Sequence, residues 1–134
     1  KWFNCDVMLT FDRTYRADKV QLEALNVPGV TQTDIWIQLP ARRVRSDDSE
    51  SGMIYMFAPT VHPESLIVSP SLAEGRWLAE GDENAVVVPS AMLLDEPEMK
   101  LGGDITLKID GQEYVFKIVG TFKGMAFLPI MYVN

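Results

Sequence analysis

Reactive side chains are scarce in this chain. Its 134 residues include one histidine, His62, and one cysteine, Cys5. A single thiol builds neither a disulfide framework nor a sulfur-based metal site, leaves the redox compartment open, and reads as a buried or half-buried structural thiol. With only His62 and Cys5 as nitrogen and sulfur donors, the usual zinc arrangements are excluded. Nucleophilic catalysis needs a base beside the nucleophile, yet His62 lies between Val61 and Pro63 and no Gly-x-Ser-x-Gly occurs. A glycine-rich phosphate loop between strand and helix is missing too, since Gly102-Gly103 leads straight into a strand pattern. No cofactor and no catalytic residue is expected.

Positive charge is also in short supply. Lys and Arg number 12 against 19 Asp and Glu, a net charge of −7. That balance argues against nucleic acid, where nonspecific affinity comes from Lys and Arg displacing phosphate counterions, and against charge-driven adhesion to an anionic membrane. Long hydrophobic runs are missing as well. The longest, Met125 to Val133, is interrupted by Pro129 and falls far short of the roughly 20 residues that span a bilayer. The chain opens at Lys1 with neither an initiator Met nor the apolar core of a signal peptide, which reads as a processed or excised piece of something longer.

What is present is strand pattern. From Gly102 to Gly120, Ile105, Leu107 and Ile109 alternate with polar neighbours, Asp110-Gly111 intervenes, and Tyr114, Phe116 and Ile118 alternate in turn. An Asp-Gly pair between alternating runs predicts a type I′ hairpin turn, which needs positive φ at both central positions. The register follows: Ile109 faces Gln112, Lys108 faces Glu113, Leu107 faces Tyr114, Thr106 faces Val115, Ile105 faces Phe116 and Asp104 faces Lys117. Ile105, Leu107, Tyr114 and Phe116 then share one face, with opposite-charge pairs on the other.

Earlier in the chain, Asp6 to Asp12 alternates Val7, Leu9 and Phe11 against Met8 and Thr10 and predicts a first strand. Asp18, with Gln21 three residues on, predicts a capped helix over Lys19 to Leu25, ended by Asn26 and Pro28. Ile35, Ile37 and Leu39 predict a strand that Pro40 assigns to an edge or a bulge. Arg42, Arg43 and Arg45 and the polar run from Ser46 to Gly52 predict a hairpin arm with a mobile charged tip, returning as a strand over Met53 to Ala58. Ser71 to Trp77 predicts a helical turn, Ala85 to Val88 a buried strand, and Ser90 the cap of a short helix that Pro97 stops. Phe122 to Val133 predicts a final extended segment bent at Gly124 and Pro129. The sum is one α+β domain over residues 1–134, a strand-rich mixed sheet with β-hairpins and two short helices.

For chemistry, Asp47, Asp48 and Glu50, and Asp95, Glu96 and Glu98, lack calcium-loop spacing and read as solvated turns. Alternation places Arg43 and Arg45 on one face of the arm and Arg42 on the other. The alternatives are an anion or acidic partner, or balance by Asp47, Asp48 and Glu50 across the tip. Trp36, Trp77 and Met53 to Phe57 supply apolar side chains that suit a core or a partner. Trp36, Arg42, Arg43 and Arg45 are the candidate interaction surface. A hydrolase built on His62 or a carboxylate cluster is the weakest reading.

Leu66-Ile67-Val68, Leu72, Gly75-Arg76-Trp77-Leu78, Asp82, Ala85 to Val88, the helix after Ser90, Leu101-Gly102-Gly103-Asp104-Ile105-Thr106-Leu107 and Val119-Gly120 together resemble the MacB-like periplasmic core domain. This is the extracytoplasmic domain of ABC-transporter permeases related to MacB, the LolC/LolE pair and FtsX. Val27-Pro28-Gly29-Val30 is similar to the family's first βαβ-like unit, and Met131-Tyr132-Val133 to the strand after the hairpin. The arm from Pro40 to Gly52 has no placed counterpart, and family members continue beyond the point matching Asn134. The resemblance implies a non-enzymatic domain outside the bacterial cytoplasmic membrane that transmits motion from an ATP-binding subunit to export, lipoprotein release or partner activation. It implies as partners the rest of the permease and that subunit, with an accessory protein or a lipid or peptide substrate outside. It marks Gly75, Arg76, Gly103, Asp104 and Gly120 as structural, and the turn chemistry marks Asp110 and Gly111 likewise. The other reading is a free-standing secreted or surface binding module.

Overall fold

The computed structural model describes residues 4–59, 71–124 and 129–134. In order these form α1 (Ala17–Leu25), β1 (Ile37–Val44), β2 (Ile54–Ala58), β3 (Leu72–Gly75), β4 (Ala85–Pro89), α2 (Ser90–Asp95), β5 (Asp104–Ile109), β6 (Gln112–Phe122) and β7 (Ile130–Val133). The expected fold class holds: a strand-rich mixed sheet with two short helices.

The β5–β6 hairpin has every predicted pair in the predicted register, with Asp110 at φ 50 and Gly111 at φ 79. Ile105, Leu107 and Phe116 are buried, while Tyr114 at the far end of the same face is exposed. Gly120 does not end the hairpin. β6 runs on to Phe122, because its second half pairs with β4 in parallel on one edge and with β3 on the other.

The strand order is β3-β6-β4-β7-β2-β1-β5, with a further pairing of β5 to β6. β5 is antiparallel to both β1 and β6, so β6, β4, β7, β2, β1 and β5 close into a ring, with β3 appended to the outer half of β6. Closure removes most sheet edges. Inward positions follow the period-two alternation: Val86 and Val88 of β4, Ile105 and Leu107 of β5, and Met131 and Val133 of β7 join residues of β1, β2 and β6 in one core, with Met99 from the loop after α2. A second core lies on the other face of β4 and β7, where Ala85, Val87, Phe122 and Tyr132 meet Trp36, Phe57, Trp77 and Leu78. β4 is buried on both faces, as its unbroken Val run predicts.

Several expectations are corrected. Residues 6–12 form no strand. Val7 is 74% and Leu9 72% exposed, and among the described residues no strand pairs with them. α1 starts two residues earlier than expected, with Arg16 at the N-cap and no side-chain cap bond. Asp18 sits in its first turn, held by Arg16 Nη2 at 2.6 Å, where a carboxylate suits the helix dipole. Leu72–Gly75 is a strand, not a helical turn, because the end of β6 offers it backbone partners: Lys123 N donates to Ser71 O and Arg76 N to Val119 O. α2 has Pro89, not Ser90, at its N-cap. His62 and Leu66-Ile67-Val68 lie outside the described residues.

Candidate functional site

The predicted interaction residues occupy three environments. Arg43 is drawn into the domain, its side chain only 6% exposed. It stands on the inward face of β1 opposite Leu107, at the end of the ring where α2 and its following loop lie. There Nη1 donates to Glu96 Oε2 and Nη2 to Glu98 Oε2 at 3.2 Å, while its Nε is buried without a hydrogen-bond partner. Arg45, two residues on and on the same face, forks onto Glu96, with Nη2 to Oε1 at 2.7 Å. Ser46 Oγ donates to Glu98. Arg42, on the opposite face, is exposed and donates to Ser51 O at 3.2 Å. Trp36 packs edge-on to Phe57 and Tyr132, centroids 6.1 Å from each.

The partners of the arginines are thus not the acids of the arm tip. Asp47 is occupied with Ser49 N at 3.0 Å, and Glu50 pairs with Lys108 at 2.7 Å. Glu96 and Glu98 are arginine-binding groups rather than a solvated turn, and they fasten the arm to the α2 loop. Arg45 hydrogen bonding, then the charges of Arg43 and Arg45, holds the Glu96 carboxyl below its ordinary range against the opposing effect of burial. Ser46, then Arg43, does the same for Glu98, and Glu96 raises Arg45 in return. Glu96 and Lys108 could not be found as partners by local pattern because they lie more than fifty residues from the arm in sequence.

Gly75, Arg76 and Gly120 come together where two strands cross. Gly75, at φ 73, faces Gly120 where β3 meets β6. A Cβ on Gly75 would sit 2.8 Å from Gly120 Cα, and a Cβ on Gly120 would run into the Arg76 carbonyl. Arg76 then grips Asp82 with both terminal nitrogens at 2.8 Å, and Asp82 also accepts from Ala79 N at 2.8 Å. Arg76, then Ala79, keeps the Asp82 carboxyl low. Asp104 opens β5 opposite Lys117, and Gly103 N donates to Lys100 O at 2.9 Å.

A cleft of about 250 Å³ opens between the arm and the tip of the β5–β6 hairpin, lined by Pro40, Arg42, Glu50, Met53, Lys108 and Asp110 among others. Its Lys108 and Glu50 neutralise one another. Among the described residues no group of His, Cys, Asp and Glu is placed to hold a metal ion, and no helix is long and apolar enough to cross a membrane.

No family model and no curated protein matches the chain. A solved structure does: the extracellular domain of the noncanonic ABC-type transporter YknZ from Gram-positive bacteria, with a TM-score of 0.56 at 18% identity, over 87% of this chain and 61% of that one. The chain spans less than two thirds of that structure's length. Its fold is therefore similar to that of a transporter's extracellular domain.

Proposed function

We propose that the chain is a non-catalytic extracytoplasmic domain of an ABC-transporter permease of the MacB-like periplasmic core type. In this reading it stands outside the bacterial cytoplasmic membrane as part of a membrane protein. It receives motion driven by the ATP-binding subunit and passes it to export, lipoprotein release or activation of a partner. The observation that carries the reading is the fold likeness to the YknZ extracellular domain over 87% of the chain. The closed ring, with its arm fastened by Arg43 and Arg45, suits a body that moves as a unit. A partner, whether an accessory protein or a lipid or peptide substrate, is proposed to dock on the arm beside Arg42 and Arg45, with Arg43 holding that arm from within and Trp36 packed against Phe57 and Tyr132 at the foot of β1.

Protease digestion of spheroplasts from the producing organism, probed with an antibody to this domain, tests the placement. Digestion without permeabilisation, together with retention in carbonate-washed membranes, is expected. Protection until lysis overturns the reading, and release as a soluble species outside the membrane favours a free-standing binding module instead.

A further inference from the structure

Among the described residues, β1 has an edge without a partner strand halfway along the ring. It pairs with β2 over Ile37–Ala41 but with β5 only over Arg42–Val44. Continued further, the β5 register would bring Asp110 opposite Pro40, and there the chain turns back through Asp110 and Gly111, both at positive φ. Among the described residues no strand pairs with that side of Ile37–Ala41.

The direction of the backbone groups along this edge is fixed by neighbouring bonds. Arg43 N donates to Ser51 Oγ and Arg43 O accepts from Ser51 N, so the groups of Arg43 face the β2 side of the arm. Alternation then aims those of Ala41, Leu39 and Ile37 toward β2, and those of Gln38 and Pro40 toward the open side. Tyr55, registered opposite Pro40, agrees: its N–H points away from β1 to Pro129 O at 2.8 Å. The one proline of this strand thus sits where its missing N–H faces outward. Apolar side chains flank the edge on both faces, Ile37 58% and Leu39 41% exposed on one and Tyr55 40% on the other. An uncovered edge with apolar flanks is a template for another strand.

We propose that Pro40 keeps this edge from pairing with a second copy of the chain. Two copies laid antiparallel about Leu39 would set Gln38 of each opposite residue 40 of the other. An ordinary residue at 40 completes both hydrogen-bonded rings. Proline leaves each ring with half its bonds, and burying the unpaired Gln38 carbonyl adds a desolvation cost.

Pro40→Thr restores the donor and favours extended backbone. Analytical ultracentrifugation of the full 134-residue chain is expected to show a monomer for the parent and a concentration-dependent dimer for Pro40→Thr. Adding Leu39→Lys beside the edge is expected to return that dimer to monomer. A folded Pro40→Thr protein that stays monomeric at every concentration, a parent already dimeric through β1, or a dimer indifferent to Leu39→Lys overturns the proposal. If Pro40→Thr does not fold, amide hydrogen exchange in the unaltered protein decides. Gln38 exchanging as freely as an unprotected amide upholds the open edge, and protection equal to that of Val86 overturns it.

Discussion

Two glycines isolate two distinct reasons for lacking a side chain. At Gly111 nothing lies within 4 Å of the place a Cβ would occupy, so its requirement is purely the positive φ of 79. Gly111→Val is expected to cost about 1–2 kcal/mol, the penalty of left-handed backbone for an L-residue, with the hairpin register intact; urea denaturation checks the cost and cross-strand nuclear Overhauser effects the register. Gly120 has ordinary strand backbone, but its missing Cβ makes room for the Arg76 carbonyl. Gly120→Ala therefore forces backbone apart and is expected to cost more than Gly111→Val. The loss should centre on β3, seen as faster exchange of the Arg76 amide that Val119 O normally protects. Equal costs for the two, with Arg76 still protected, would contradict the crossing as described.

Between elements, charge joins the arm to the α2 loop where Arg43 and Arg45 meet Glu96 and Glu98. Removing one partner of a buried pair leaves the other poorly solvated, so Arg43→Met is expected to destabilise the domain by about 3 kcal/mol, the lower end for such a break because Glu96 keeps Arg45. Thermal unfolding measures it. The depressed Glu96 pKa contributes to the acid response. Its contribution is complete above the ordinary glutamate pKa of 4.5 that the unfolded chain retains, and is lost as pH falls through the lower folded value. The Glu96→Gln protein should accordingly lose less stability than the parent on acidification below that range, and parallel losses would contradict the pairing. How much of this is legible in the sequence varies with distance along the chain. The hairpin is readable to the residue because its turn, alternation and charge pairs are local. The Val run of β4 is readable because burial on both faces leaves an unbroken apolar stretch. Ring closure through Arg42 and Lys108 carries no local mark, and neither does the match of Arg43 to Glu96. Residues 6–12 show the converse: alternation permits a strand, but a strand also needs an edge to pair with.

For the molecule as a whole, burial is uneven. β4 is sealed, as are Ile105, Leu107, Phe116, Ile118, Met131 and Val133 on the strands around it, whereas α1 contributes no buried residue. Deleting residues 1–30 is therefore expected to move the melting temperature by no more than about 4 °C, equivalent to about 1 kcal/mol; calorimetry checks this, and loss of the cooperative transition would mean that the N-terminal segment completes the core. The two cores differ in one further respect. The interior of the ring holds no tryptophan among the described residues, while Trp36 and Trp77 both lie against Tyr132 on its outside, with centroids 6.1 and 5.1 Å away. At such separations tyrosine passes its excitation to tryptophan almost completely. With Trp2 replaced by Phe, the tryptophan emission of this protein comes from Trp36 and Trp77 alone and so becomes an optical gauge of the outer layer, in which a loosening would be visible as a shift of that emission before the ring itself opens.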